Sequence, residues 1–178
     1  KQFIDFATHP RWSLTTLLSG IPRPMNYVTS KKGNKFVRSE SREATDWEAL
    51  KRVRNFWKGK LIIKGVMSPE DAVKIKDAGA DAIQVSNHGG RQLESATSAI
   101  NALPLIRKVL GKEFPIIFDS GIRSGSDIVR ALAFGADYAM IGRPLMYGMG
   151  ADGARGLRRI LNIIKEELST TLGLVGLN

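Results

Sequence analysis

Cysteine is absent from the chain. This absence excludes a disulfide framework, a thiolate metal site and a cysteine nucleophile. No apolar run approaches the roughly 20 residues that a membrane-spanning helix needs. The first residues also lack the apolar core of a secretory signal. The chain begins with Lys1 rather than a methionine, so we expect it to be a piece of a longer protein.

Acidic residues are scarce relative to basic ones. The 17 Asp and Glu residues against 27 Lys and Arg residues give a net charge of +10, which predicts an anionic partner. No zinc-finger, aromatic-glycine or helix-turn-helix signature occurs, so nucleic acid is not the expected partner. Phosphate, carboxylate and acidic lipid head groups fit better. The 43% hydrophobic and 25% charged content is otherwise that of an ordinary globular protein of one domain.

Half of the positive excess lies in residues 1–45. This segment has eight basic residues against three acidic ones. Its prolines and glycines, without sustained hydrophobic periodicity, predict a long basic loop. Apolar residues are interleaved with the cations, among them Phe3, Trp12, Leu14, Leu17 and Leu18. Such a segment either lies on an anionic membrane surface or is a solvated loop.

Residues 46–178 form a second segment in which helix and strand patterns alternate. The apolar runs predict strands at 60–64, 81–86, 115–119 and 137–141. Helices are predicted from the capping pattern at 45–48, at 68–79, at 96–110 with Pro104 interrupting or offsetting it, at 126–134 and at 154–171. This alternation predicts an α/β fold with a parallel sheet. Four βα units make half of a (β/α)8 barrel, and a doubly wound sheet fits the alternation as well.

Polar residues gather after every predicted strand, at Lys64, at 86–92, at 119–123 and at 142–143. In an α/β barrel the active site lies at these carboxyl ends of the strands. A doubly wound sheet gives no reason for a glycine and arginine site after each of the last two strands. The pattern therefore favours the half-barrel.

The second strand ends in the octet Val85-Ser86-Asn87-His88-Gly89-Gly90-Arg91-Gln92. The His88 imidazole can take a proton near neutral pH, and the Arg91 guanidinium can hold a carboxylate with two parallel hydrogen bonds. Two glycines between them let the backbone turn sharply and approach a ligand. The octet predicts a base and an anion clamp on one turn, whereas a lone histidine would more often be a capping residue.

The last two strands are each followed by a turn containing glycine and arginine, Asp119-Ser120-Gly121-Ile122-Arg123 and Gly142-Arg143. Backbone N–H groups, helix N-termini and arginines at such turns predict a phosphate site. The alternative is two glycine turns with arginines that face solvent. Lys64 ends an otherwise apolar strand, so it either faces an anionic or electron-rich group or reaches solvent.

The octet and these turns resemble the signature of the FMN-dependent α-hydroxy acid dehydrogenase/oxidase family, which includes glycolate oxidase, L-lactate dehydrogenase and mandelate dehydrogenase. The resemblance runs through nearly the whole chain but matches only the C-terminal part of such an enzyme. It therefore implies the C-terminal half of a TIM barrel. IMP dehydrogenase-like proteins share paired glycine and arginine turns, but they need a catalytic cysteine, which is absent here.

The resemblance implies FMN as cofactor and oxidation of an L-2-hydroxy acid to the 2-oxo acid. Arg91 would grip the substrate carboxylate. His88 would take a proton, either from the hydroxyl with hydride passing to FMN or from the α-carbon. The implied cofactor-binding residues are Lys64 at the pyrimidine edge, Ser86 at the ring, Gly121, Arg123, Gly142 and Arg143 at the phosphate, and also Asp119, Ser120 and Ile122.

The resemblance also implies partners. The reduced cofactor passes its electrons to oxygen in oxidases and to quinone or a cytochrome in dehydrogenases. Ser120, where oxidase members often have glycine, favours the dehydrogenases. In dehydrogenase members the loop that corresponds to residues 1–45 can carry membrane attachment. We therefore expect a cytoplasmic protein with peripheral contact to the inner face of the cell membrane.

Family members also use an N-terminal half-barrel that this chain does not match. A half-barrel has two unpaired strand edges, which favour association. We therefore expect either pairing with the missing half or a homo-oligomer. The alternative function is an FMN- or phosphate-binding half-barrel module without turnover.

Overall fold

The computed structural model describes residues 7–20 and 46–177. The chain divides into two compact units, Lys1–Asp46 and Trp47–Asn178. The described part of the first unit contains helix α1 (Pro10–Ser19). None of the described helices is both long enough and apolar enough to cross a membrane.

Helix α1 corrects the prediction that residues 1–45 are loop throughout. Pro10, which was read as a loop marker, occupies the first helical turn, where its missing N–H costs nothing. The hydroxyl of Ser13 donates to the carbonyl of His9 at 3.0 Å, four residues earlier. The remainder of the predicted loop, residues 1–6 and 21–45, lies outside the described residues.

The second unit alternates helices and strands in chain order. Its elements are α2 (Trp47–Phe56), β1 (Ile62–Val66), α3 (Pro69–Asp77), β2 (Ala82–Val85), a short helical turn (His88–Gly90), α4 (Ala99–Leu110), β3 (Ile116–Phe118), α5 (Gly125–Ala133), β4 (Tyr138–Ala139) and α6 (Arg143–Leu174). The four strands pair in parallel in the order β1-β2-β3-β4. This open parallel sheet confirms the prediction of half of a (β/α)8 barrel.

Two helices differ from the sequence prediction. Helix α6 contains a kink at Asp152 and Gly153, where the backbone is not helical. The part after the kink agrees with the predicted start at Ala154, and a helical part that was not predicted, from Arg143, precedes it. The glycines of residues 142–153 had obscured the helical pattern of its first part. Pro104 lies inside α4 and does not interrupt it.

The two faces of the sheet differ in composition. Ile83 and Val85 of β2, with Ile116 and Phe118 of β3, belong to the hydrophobic core, together with buried side chains of α3 and α4. Gln84 alternates with them and therefore lies on the opposite face. Edge strands β1 and β4 pair with no further strand in the described part of the chain. Their side chains are correspondingly open, with Ile62 48% exposed and Tyr138 64% exposed.

An arginine clamp closes the amino end of the sheet at β1 and β2. Arg54 of α2 donates to the carbonyl of Gly79 and to the Asp81 carboxylate, both at 3.2 Å. The same carboxylate accepts the N–H of Leu61 at 2.9 Å. Hydrogen bonds from Lys60 and from Leu61 lower the pKa of Asp81 below its ordinary value. Its contribution to stability is therefore lost as the pH falls through that lowered pKa.

The same clamp recurs at β3 and β4. Arg107 of α4 donates to the carbonyl of Gly135 at 2.7 Å and to the Asp137 carboxylate at 2.6 Å. Asp137 accepts the N–H of Ile116 at 2.7 Å. Both aspartates end a Gly-Ala-Asp sequence directly before an even-numbered strand. Two consecutive βα pairs are thus closed by one repeated device at the end of the sheet opposite the predicted site.

We predict that Arg107→Met lowers the free energy of unfolding by about 2–3 kcal/mol, because it leaves the Asp137 carboxylate and several carbonyls without their charged donor. Urea unfolding measures this. Arg130→Met is the matched control, since Arg130 is 70% exposed and its nitrogen is 3.5 Å from Asp127. It should change stability by less than about 0.5 kcal/mol. Equal losses in the two variants would contradict the role of the clamp.

Candidate active site

The octet that follows β2 forms a left-handed turn. His88, Gly89 and Gly90 have φ values of 56°, 67° and 76°. Such a conformation costs a residue with a side chain roughly 1–2 kcal/mol, and only His88 bears that cost. The N–H of Arg91 bonds the carbonyl of His88 at 3.4 Å. The predicted base and anion clamp therefore lie on one turn, and both side chains are exposed.

Asn87 closes this turn, a role that the sequence reasoning did not assign. Its side-chain oxygen accepts the N–H of Gly90 at 3.2 Å, and its side-chain nitrogen donates to the carbonyl of Thr97 at 3.3 Å. Asparagine before two glycines is a typical turn signal and could have indicated the role.

Two serines that follow neighbouring strands accept hydrogen bonds from the backbone of the turn. Ser86 is 1% exposed, and its hydroxyl accepts the N–H of His88 at 3.1 Å. The hydroxyl of Ser120, which follows β3, accepts the N–H of Gly89 at 3.1 Å and lies 3.3 Å from the Ser86 hydroxyl. Ser120 itself has φ 84°. Two of the predicted cofactor-binding residues thus also support the backbone that carries the base.

The His88 ring packs against a glycine of β1. Gly65 has φ +84°, and a Cβ placed on it would lie 3.1 Å from Cε1 of His88. The register of β1 against β2 shifts between Lys64 and Val66, so Gly65 is the irregular residue of the strand. Glycine here provides both the backbone conformation and the space for the imidazole. The sequence analysis overlooked it.

Three cations at the carboxyl ends of the strands have no carboxylate partner. Lys64, Arg91 and Arg123 are exposed, and their side chains make no hydrogen bond or ion pair with the described part of the chain. Arg143 reaches from the end of β4 to the carbonyl of Gly89, which its Nη2 approaches to 3.3 Å. These charges remain available to an anion.

The two helix N-termini near the site are not equivalent. The carboxylate of Asp127 accepts the N–H groups of Arg123 and Ser124, and Glu167 accepts that of Gly125. The first turn of α5 is therefore capped by the chain itself. Helix α6 begins after Gly142 without a side-chain cap, but Pro144 has no N–H, and the N–H of Leu145 bonds the carbonyl of Gly142 at 3.1 Å. The backbone N–H of Arg143 is therefore the donor that this first turn can offer to an anion.

The buried side chain of Ile122 belongs to the hydrophobic core. Of the predicted cofactor-binding residues it can offer only its backbone to a ligand. Asp119 is bonded to Gln84 and to Ser120. The strand ends therefore offer unpaired cations, the backbone N–H of Arg143 and a histidine on a turn, a donor set suited to an anionic ligand.

The family model described as FMN-dependent dehydrogenase matches residues 1–178. The chain belongs to this family. This membership confirms the resemblance and FMN as the cofactor. The free cations at the strand ends and the backbone N–H of Arg143 fit the phosphate of FMN.

Relatives of the chain include hydroxy acid dehydrogenases. It is 38% identical over 184 residues to an L-lactate dehydrogenase of Pectobacterium atrosepticum, covering 99% of this chain and 48% of that protein. It is 40% identical over 181 residues to an (S)-mandelate dehydrogenase of Pseudomonas putida, covering 99% of this chain and 46% of that protein. The chain thus spans about half the length of these relatives.

The structure of a monotopic membrane protein, (S)-mandelate dehydrogenase, superposes with a TM-score of 0.85 at 38% identity. The match covers 98% of this chain and 48% of the mandelate dehydrogenase. The half-barrel therefore corresponds to one part of a larger FMN-dependent dehydrogenase fold.

We predict that Gly65→Ala moves the His88 imidazole. The chain has only two histidines, so the ring C–H resonances of His88 and His9 can be followed separately by NMR. Gly111→Ala is the control, since Gly111 also has a positive φ of 78° but nothing lies within 4 Å of its Cβ position. Both variants should lose about 1 kcal/mol of stability, and only Gly65→Ala should shift the His88 resonance. Equal shifts in both would contradict the contact.

Proposed function

We propose that this chain carries the base, the carboxylate clamp and the FMN site of an enzyme that oxidises an L-2-hydroxy acid to the 2-oxo acid. The observation that supports this most strongly is the left-handed turn. It carries His88 and Arg91 together above the two serines that bond its backbone, Ser86 and Ser120. The left-handed backbone at His88 costs free energy, and such strained backbone clusters at sites where a side chain must be held in one orientation.

The chemistry follows from the residues on this turn. The Arg91 guanidinium has no acidic partner in the described residues, so both of its parallel donors can bind a substrate carboxylate. A 2-hydroxy acid held in this way would place its hydroxyl and α-carbon near the adjacent imidazole. His88 then takes the proton that leaves during oxidation, and its packing against Gly65 fixes the ring.

The residues that would hold FMN lie at the carboxyl ends of the four strands. They are Lys64, Ser86, Asp119, Ser120, Gly121, Ile122, Arg123, Gly142 and Arg143. When bound, FMN accepts the electrons of the oxidation. Lys64 would place a positive charge beside the ring, while the side chains of Arg123 and Arg143 and the backbone N–H of Arg143 would hold the phosphate. The proposed electron acceptor is a quinone, a cytochrome or oxygen.

A second candidate function is a binding module that holds FMN or phosphate without turnover. It is favoured by the length of the chain, which spans about half of its relatives. The exposed edge residues Ile62 and Tyr138 suit pairing of the half-barrel with a further half or with a second copy. Residues of that partner would then complete the active site.

The test is anaerobic mixing of the FMN-loaded chain with L-lactate, L-mandelate or glycolate, followed by flavin absorbance. We expect one substrate to bleach the flavin. His88→Gln should slow bleaching by about 10²–10⁴-fold at unchanged FMN affinity, because only the base is removed. Arg91→Met should chiefly weaken substrate binding, and Arg158→Met, on the exposed part of α6, should have no effect. Bound flavin without bleaching would support the module, and absence of flavin binding would contradict both functions.

We also propose that the first unit contacts an anionic membrane surface. Helix α1 has no acidic residue, and its leucines are open, with Leu17 75% exposed and Leu18 80% exposed. The mandelate dehydrogenase with the matching structure is a monotopic membrane protein. Exposed leucines beside basic residues are the composition of an interfacial helix. The inner face of the cell membrane is the proposed surface.

Replacing both Leu17 and Leu18 with serine should weaken binding to vesicles that contain phosphatidylglycerol by at least about tenfold, because two apolar side chains no longer enter the lipid. Co-sedimentation with vesicles measures the binding. Leu105→Ser removes a leucine that is 57% exposed on α4 and should bind as the unmodified chain does. Unchanged binding in the double variant would exclude α1 as the contact.

A further inference from the structure

A chain of hydrogen bonds runs from the turn that carries His88 down to the middle of strand β2. The Ser120 hydroxyl donates to Oδ1 of Asp119 at 2.8 Å. A hydroxyl has one hydrogen to donate, so the Ser120 hydroxyl must act as the acceptor for both the N–H of Gly89 and the Ser86 hydroxyl. The Ser86 hydroxyl accepts the N–H of His88. Every bond therefore points the same way, from the turn to the Asp119 carboxylate.

The other oxygen of this carboxylate is held by Gln84. The side-chain nitrogen of Gln84 donates to Oδ2 of Asp119. An ionised carboxylate only accepts, so the amide must present its nitrogen rather than its oxygen to Asp119. Gln84 is 9% exposed and is one of three buried polar residues in the described part of the chain. A buried amide in an otherwise apolar strand is costly unless it is hydrogen-bonded, and its bond to Asp119 offsets that cost.

We infer that Gln84 is a positioning residue, which orients the Asp119 carboxylate and, through Ser120 and Ser86, fixes the backbone of the His88 turn. With Oδ2 held by Gln84, Oδ1 faces the Ser120 hydroxyl. The Ser120 hydroxyl in turn accepts hydrogen bonds from the N–H of Gly89 and the hydroxyl of Ser86. Without Gln84 the carboxylate can rotate, and the turn loses the acceptor that offsets its left-handed backbone. The inference rests on the proposed function only in its last step, that His88 is the base.

Gln84→Met tests the inference, since methionine has a similar length and apolar volume but no donor. The readout is amide hydrogen exchange by NMR at His88 and Gly89, compared with core amides of β2 and β3. We expect exchange at the two turn amides to accelerate about tenfold, the equivalent of one hydrogen bond, relative to the core. Ile83→Val, on the core face of the same strand, should leave this ratio unchanged.

Gln84→Glu provides a rescue with its own pH signature, and it keeps the inference testable if the methionine variant does not fold. Two facing carboxyl groups share one proton, and in that state the introduced carboxyl donates to Asp119. Its register neighbour Lys64 on β1 favours the ionised form. Protection of the turn amides, corrected for intrinsic exchange, should therefore persist at low pH and be lost as the pH rises.

Protection at His88 and Gly89 that is the same in Gln84→Met as in Ile83→Val would overturn the inference, as would a pH-independent Gln84→Glu variant. The exchange measurement involves neither flavin nor substrate. A failure of hydroxy acid oxidation would therefore leave this result intact, and a failure here would leave the oxidation test intact.

Discussion

Parallel pairing of β2 with β3 is the constraint on which the candidate site depends. The register pairs Val85 with Phe118, so Ser86 and the segment that starts with Asp119 and Ser120 leave the sheet side by side at one edge. Ser86 and Ser120 consequently lie 3.3 Å apart although 34 positions separate them in the chain. Both serines accept N–H groups of the His88 turn, so the position of this turn depends on strand register as well as on local sequence.

Charge is distributed unequally between the two ends of the sheet. At the amino end, Arg54 pairs with Asp81 and Arg107 pairs with Asp137. Each ion pair belongs to one of the two arginine clamps. At the carboxyl end, Lys64, Arg91 and Arg123 have no such partners in the described residues. Arginines thus stabilise the fold at one end, while the cations at the other can bind a ligand. This division agrees with the general rule for α/β barrels, in which the active site lies at the carboxyl ends of the strands and the residues at their amino ends contribute to stability.

Much of this arrangement could be predicted from the sequence. The alternation of apolar strands with helices predicted the order of the elements, and the octet predicted a base and a clamp on one turn. The left-handed φ of His88 could not be predicted, because glycine neighbours permit such a turn without requiring it at the histidine. The roles of Gln84 and Gly65 were also missed, since each depends on a contact with another strand or loop.

Two local features could not be read from the sequence. Prolines in residues 1–45 indicate loop, yet proline is compatible with the first turn of a helix, and α1 begins at Pro10. The N-terminus of α5 lies at a predicted phosphate turn, but Glu167, 42 residues further along the chain, accepts the N–H of Gly125 there. A capping partner so distant leaves no signal in the sequence around Gly125. Arg123 and Arg143 remain the proposed phosphate ligands.

The most direct test of the account compares the affinities of FMN and riboflavin by flavin fluorescence titration. We propose that the carboxyl ends of the strands form a site for a phosphorylated flavin. FMN should then bind at least about 100-fold more tightly than riboflavin, because charge-assisted bonds from the arginines act only on the phosphate. Equal affinities for the two flavins would contradict it.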